Sequence, residues 1–391
     1  MKNFLLIFCC FFGLSFQLLA SDEGAAVDFD PGEAAFHHIA DANVYSIGPI
    51  SIPLPCFLYA PDHGWSVFLS SDFSPIDAHG NGSKIVDGYV LHHSRVKRVV
   101  DFHGTELTLH DPHHDFSTKS EEGKDVDYLN HHENIYKLDK SSTADGGVFG
   151  GGITSFYDFS MTKNVVTMML VCLILFLLFR SVAKTYQRKE GQAPSGLQGL
   201  METIFVFIQD EVAKPFLGKK WEKFLPLLMT LFFFILGLNL FGQIPFFGGS
   251  NVSGNLAVTA VLAIIAFLVT TFNGNKHYWG HTLWMPGVPA ILKILILTPV
   301  EILGLFIKPI TLMLRLFANI TAGHMVMVIF VGLIFYFGQG NTVPSLITVL
   351  PSTLLTLFMM AIELLVAFIQ AFVFTILTAS YIGAATEEAH H

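Results

Sequence analysis

The chain has 391 residues, a net charge of −9, a mean hydropathy of +0.55 and 38 Phe, with 52% hydrophobic and only 14% charged residues. A soluble domain carries about 25% charged residues. Folded into one soluble globule, this composition would expose large apolar patches, so the sequence excludes a soluble enzyme and reads as an all-α integral membrane protein. Disordered, collagen-like and disulfide-scaffold classes are excluded with it.

The N-terminus predicts an export signal: Lys2, an apolar run from Phe4 to Leu19, then Ala20-Ser21 and an abrupt acidic stretch. Residues 1–20 are therefore expected to be a signal peptide, with an uncleaved anchor helix as the alternative. Residues 21–155 form an acidic, His-rich region expected outside the cytoplasm, of mixed or irregular structure. Residues 21–160 hold 22 acidic and 8 basic side chains, whereas residues 161–391 hold 9 and 13. An acidic polar region argues against nucleic-acid binding. Twelve of the 17 histidines lie in it, and short alternating stretches at Tyr89–Leu91 and Glu106–Leu109 suggest some strand. His110, His113 and His114 are weak metal candidates. No Cys-rich or His-Glu-x-x-His spacing supports them, and a solvated acidic cap is the plainer reading. The four cysteines offer no obvious structural disulfide.

From residue 156 the chain reads as a membrane domain. The predicted spans are Val165–Phe179, Phe224–Pro245 and Asn255–Phe272, followed by two apolar stretches, Pro289–Phe337 and Pro344–Ala385. Crossing the hydrocarbon core takes roughly 20 residues. Each of the last two stretches is about twice that, and is either a helix pair or one long tilted helix. Pro299, Pro309 and Pro351 are expected to bend them. Leu197–Val212 has helical apolar spacing and is expected to lie along the membrane surface. Counting each long stretch once gives about five crossing helices. The bases Lys184, Arg188, Lys189, Lys214, Lys219, Lys220 and Lys223 then put that loop and the C-terminus in the cytoplasm.

Ionisable residues at membrane depth are costly and mark function. The long stretches contain Lys293, Glu301, Lys308, Arg315, His324 and Glu363. At 100° per residue, Thr311, Asn319, Lys308 and Glu301 fall within about 40° of Arg315 and make one polar stripe. His324 lies about 180° round and about 13 Å further along the axis. Glu363 and Gln370, seven residues apart, share a face. An arginine keeps its proton, whereas His and Glu can be tuned to exchange one. A fixed cation between groups able to relay protons suits a pump or rotary motor.

The run Lys308-Pro309-Ile310-Thr311-Leu312-Met313-Leu314-Arg315-Leu316-Phe317-Ala318-Asn319, continuing to Ala322-Gly323-His324, resembles the signature of subunit a of F-type ATP synthase. The resemblance extends to Asn239–Pro245 and to Gln370–Phe374, spanning roughly residues 155–388. It implies a proton channel of the Fo sector in a bacterial inner membrane. The subunit would hold no cofactor and no catalytic chemistry of its own, beside the c-ring, subunit b of the peripheral stalk and the rest of the synthase.

The resemblance further implies that Arg315 faces a c-ring carboxylate and separates two half-channels, with Gln370 and Asn319 as its companions. Glu301 belongs to the cytoplasmic half-channel and His324 with Glu363 to the outer one. Some relatives carry those last two residue types in exchanged places. Where some relatives have an acid near the start of the third span, this sequence has Ser253 and Asn255, which with Thr311 and Lys308 are the candidate channel-lining residues. The rival readings are a divalent-metal transporter and a structural anchor. A buried Arg repels a metal cation, and an anchor leaves the Arg315 stripe unexplained.

Overall fold

The computed structural model describes residues 41–47, 50–77, 80–102, 104, 106–109, 115–121, 124–131, 134–143, 152–188, 190–243, 251–283, 291, 293–338 and 342–387. The expected signal peptide and His110, His113 and His114 lie outside the described residues. By contacts the described chain divides into one unit up to Thr167 and another from Met168 onward.

The first unit is built of β-structure. Its strands are β1 (Val44–Ile47), β2 (Ile50–Pro53), β3 (Pro55–Ala60), β4 (Gly64–Leu69), β5 (Lys84–Val86), β6 (Tyr89–His92), β7 (Arg95–Val99), β8 (Glu106–Thr108), β9 (Phe116–Glu121), β10 (Lys124–His131), β11 (Asn134–Asp139) and β12 (Tyr157–Asp158). Seven of them form one antiparallel sheet in the order β8-β5-β6-β7-β11-β10-β9; β12-β3-β4 form a second, and β1-β2 a hairpin. This agrees with the expected region of mixed structure, its strands being organised into sheets. Strand β3 alternates, sending Cys56, Leu58 and Ala60 into a cluster with Phe73, Tyr89, Leu91 and Phe156. On the other face of the large sheet, Ile85, Val90, Val99, Leu129 and Leu138 form a second cluster. Strand β6 therefore has all four residues buried. Burial pushes the Cys56 thiol up to about 12, with the Asp158 carboxylate adding to it.

Buried charge in this unit is paired. Lys97 on β7 donates to Asp127 on β10, and both are buried. The Thr118 hydroxyl donates to the other Asp127 oxygen at 2.8 Å. Burial works against both charges. In Lys97 it prevails and holds the ammonium below its usual range. In Asp127 burial is outweighed by the Lys97 and Thr118 hydrogen bonds, so the carboxyl titrates below its usual range. Closer to the surface, Arg98 makes a two-pronged pair with Asp62 at 2.8 and 2.6 Å.

The second unit is helical: α1 (Lys163–Arg188, beginning at the end of the first unit), α2 (Leu197–Ile208), α3 (Trp221–Gly242), α4 (Leu256–Phe272), α5 (Lys276–Leu283), α6 (Thr298–Gly338) and α7 (Thr342–Thr386). Among the described residues four helical stretches are long and apolar enough to cross a membrane, and α4 is a shorter apolar helix. The chain is thus a multi-pass membrane protein. The two long stretches are single helices of 41 and 45 residues, not helix pairs. Pro309 and Pro351 lie inside them, and Pro299 lies at the junction where the π-helical turn before α6 passes into the α-helix. A π-helical turn, Lys293–Leu297, leads into α6, and another, Gln209–Ala213, follows α2.

Helix α3 is the most enclosed, burying Phe224, Leu228, Phe232, Ile235 and Asn239 among others. Helix α7 packs along both α6 and α3, and α4 packs along α6. The last carbonyls of α7, left open by helix geometry, are capped. Asn275 donates its backbone N–H to Ala385 O at 2.9 Å and its side-chain amide to Thr386 O at 2.9 Å, and Lys220 donates to Thr386 O at 2.8 Å.

Candidate functional site: a polar seam between two long helices

Helices α6 and α7 run antiparallel, and three contacts fix their register. Lys308 Nζ lies 5.7 Å from the centre of the Tyr381 ring. The Asn319 amide donates to Gln370 Oε1 at 2.9 Å. Glu363 lies against Gly323, where an added Cβ would stand 2.7 Å from Glu363 Oε1. Only glycine lets that carboxyl approach the α6 backbone so closely. His324 follows Gly323 on α6, and its side chain lies outside the described residues.

The residues of the stripe expected around Arg315, namely Glu301, Lys308, Thr311, Arg315 and Asn319, are all exposed, as are apolar residues on other sides of α6 such as Leu303, Phe306 and Leu314, whereas Leu312, Met313 and Leu316 are buried. Arg315 has no ion-pair or hydrogen-bond partner among the described residues. Glu301 and Lys308 make no ion pair with each other among the described residues. Near them a cavity of about 20 Å³ is lined by Thr270, Thr271, Tyr278, Lys308, Pro309 and Tyr381. Burial raises the pKa of Tyr278, and the Glu301 carboxylate adds to it.

The α7 side of the seam is enclosed. Glu363 is 8% and Gln370 2% exposed, and Glu363 Oε1 and Gln370 Nε2 have no hydrogen-bond partner among the described residues. Helix α3 holds this part of α7 in place: the Asn239 amide donates to Ala367 O at 3.3 Å and the Gln243 amide to Glu363 O at 2.9 Å. These two anchors were not among the sequence candidates. Their signal was a pair of polar side chains four apart at the C-terminal end of the apolar run of α3.

The two candidates near the third span separate. Asn255 is the N-cap of α4, its side-chain oxygen accepting from Ala257 N at 3.0 Å. Ser253, in the short 3-10 turn Val252–Gly254, is 3% exposed and its hydroxyl has no partner among the described residues. Among the described residues no three His, Cys, Asp or Glu side chains are grouped to hold a metal.

Comparison with known proteins fits this arrangement. The family described as ATP synthase A chain matches residues 165–383, which contain the whole seam. A domain of unknown function, DUF8433, matches residues 34–116. ATP synthase subunit a of Chloroherpeton thalassium is 41% identical over 238 residues, 60% of this chain and 69% of that protein. ATP synthase subunit a of Chlorobium phaeobacteroides strain DSM 266 is 34% identical over 289 residues, 72% of this chain and 80% of its own length. ATP synthase subunit a 2 of Chlorobaculum tepidum is 39% identical over 236 residues, covering 59% and 64% of the two chains. With the family match covering more than half of its residues, this chain belongs to the ATP synthase A chain family.

Proposed function

We propose that the chain is the ion-conducting stator subunit of the Fo sector. It would carry protons through two half-channels to and from the c-ring, alongside subunit b and the rest of the synthase, with no catalytic chemistry of its own. The observation that carries this reading is the exposed polar face of α6. An arginine, a glutamate, a lysine and an asparagine in line on a membrane helix cannot face lipid at acceptable cost. That stripe needs a protein partner, and a partner bearing a carboxylate complements Arg315.

In this mechanism protons enter from outside and pass His324 and Glu363. There they neutralise a c-ring carboxylate, which then rotates through lipid without the cost of burying a charge. On reaching the inner half-channel near Glu301 it releases the proton, and Arg315 attracts the resulting carboxylate. Because Arg315 holds its own proton, it blocks a direct path between the two sides. Asn319 and Gln370, bonded to each other, brace the α6–α7 seam beside it. Each proton crossing 100 mV supplies about 2.3 kcal/mol for rotation. The basic loop of residues 184–223 and the C-terminus are cytoplasmic, and residues 21–155, freed from a signal peptide, lie outside the bacterial inner membrane.

The test is Arg315→Ala in membrane vesicles, with assembly measured in parallel. Proton-driven ATP synthesis is expected to fall below about 1% of the unsubstituted complex at normal assembly. An assembled variant that synthesises ATP at the normal rate would overturn the assignment.

A further inference from the structure

The sheet β12-β3-β4 is apolar on both faces. Its inner positions, Cys56, Leu58 and Ala60 with Phe68, pack into the core of the β unit. An antiparallel sheet with one face on the core and the other in water alternates apolar with polar side chains. Here the outer positions are apolar too. On β3 they are Pro55, Phe57 and Tyr59, paired across to Leu69, Val67 and Trp65 of β4. On the other side Tyr157 pairs with Tyr59. The chain then runs on beside β3, where Phe159 N–H donates to Phe57 O at 2.8 Å and Met161 N–H to Pro55 O at 3.2 Å. The outer face is thus three rows of three without a charged side chain. Trp65, Val67 and Phe159 are 62%, 63% and 60% exposed. The Trp65 ring lies 5.2 Å from that of Tyr59 and 5.6 Å from that of Phe159, so the patch is contiguous. A contiguous exposed apolar patch marks a contact with protein or membrane.

The course of the chain favours the membrane. Helix α1 begins at Lys163, two residues past Met161. Its start is fixed to the β unit: Lys163 N–H donates to Ala42 O at 2.7 Å and Asn164 N–H to Asp41 Oδ1 at 3.1 Å. From Asn164 to Phe179 the helix carries no charged side chain, and Arg180 ends that run. A crossing takes roughly 20 residues, so a bilayer boundary at Arg180 puts the other at about Met161. The row Leu69, Pro55, Met161 therefore stands at the boundary. The carboxylate nearest that row, Asp72, accepts from Leu69 N at 3.1 Å. The row Trp65, Tyr59, Tyr157 stands further out, and amphipathic rings of this kind collect at headgroup level. The charged β3–β4 turn, with Asp62 and His63, lies beyond it. We propose that this face rests in the lipid headgroup layer on the side of the membrane where α1 begins, holding the β unit to the bilayer by lipid contact as well as by the chain. The proposal goes beyond ion conduction and needs only that α1 crosses the membrane.

The experiment uses the whole complex in phosphatidylcholine vesicles, with Cys9, Cys10, Cys56 and Cys172 replaced by Ala and a polarity-sensitive fluorophore attached through Val67→Cys. Lipid carrying a nitroxide near its headgroup is expected to cut the emission at least about twofold, the response of a side chain seated in the interface. Iodide in the water should quench it at least about threefold less than the same fluorophore on Lys137→Cys, an exposed position of β11. If Val67→Cys assembles poorly, Phe159→Cys carries the same expectation. A Val67 fluorophore that iodide quenches as strongly as the one at Lys137, and that nitroxide lipid leaves unchanged, puts the face in water. One shielded from both quenchers puts it against protein, whether another subunit, a second copy of this chain or a further segment of the same one. Either result overturns the proposal, and neither bears on ion conduction, which Arg315→Ala tests separately.

Discussion

The two units handle charge in opposite ways. In the β unit Lys97 is buried and Asp127 is buried with it, hydrogen-bonded to the lysine and to Thr118. In the helical unit, among the described residues, Glu363 is buried with one carboxyl oxygen unpartnered and Arg315 is exposed with no partner. A buried ion pair that is fully satisfied holds a structure in one arrangement. A carboxyl left short of partners, and a cation left open on a membrane helix, hold a capacity to interact with something not fixed in the chain. The difference separates charge used as structure from charge used as mechanism, and replacing an acid by its amide in each unit tests it.

The largest effect is expected at Glu363. Glu363→Gln keeps the shape and removes the exchangeable proton, and Gly323 still admits the side chain because its volume is nearly unchanged. Proton-driven ATP synthesis should fall by about 10²-fold or more, the scale of a lost acid–base group. Assembly and the protection of α7 amides from hydrogen exchange should stay the same. Loss of α7 protection at undiminished synthesis would mean that Glu363 belongs with the structural charges.

The same change in the β unit should act the other way round. Asp127→Asn leaves the Lys97 ammonium buried without its counter-ion, at a cost of about 3–5 kcal/mol. Exchange of the β10 amides should quicken by about two to four decades. ATP synthesis per assembled complex should stay within about twofold. Because the Asp127 carboxyl titrates below its usual range, its contribution is present above the unfolded value near ~3.9. It is lost as the pH falls through the lower folded value. The unsubstituted protein should therefore lose β10 protection on acidification, and the Asn variant should lack that step.

What the sequence revealed follows the same division. The helical unit was legible because apolar runs and ionisable residues within them are local signals. The spacing of Glu301, Lys308, Thr311, Arg315 and Asn319 put them on one face, and all of them are exposed. What spacing did not carry was partnership: that Glu363 meets Gly323, that Gln243 and Asn239 fasten α7, and that Asn255 caps a helix while Ser253 does not. The β unit was legible only in pieces: the stretches Tyr89–Leu91 and Glu106–Leu109 fall in β6 and β8, but β6 is buried on both faces of its sheet, which its short pattern did not announce. Its sheet also depends on pairings such as Leu138 with Val99, about 40 residues apart, which no local pattern announces.

The smallest effect is expected where pairing occurs without burial. Asp62 and Arg98 form a two-pronged pair in good geometry, yet the Asp62 side chain is 65% exposed and the Arg98 side chain 17%. The Arg98 hydrogen bonds hold the Asp62 carboxyl below its usual range, so this contribution too disappears only in acid. Solvent and salt screen it, and an exposed pair is worth about 0–1 kcal/mol. Asp62→Asn should accordingly quicken exchange of β7 amides by less than about fivefold at neutral pH, and the difference from the unsubstituted protein should shrink in high salt. A response as large as that of Asp127→Asn would mean that pairing itself, and not the burial of the charges, is what the β unit depends on.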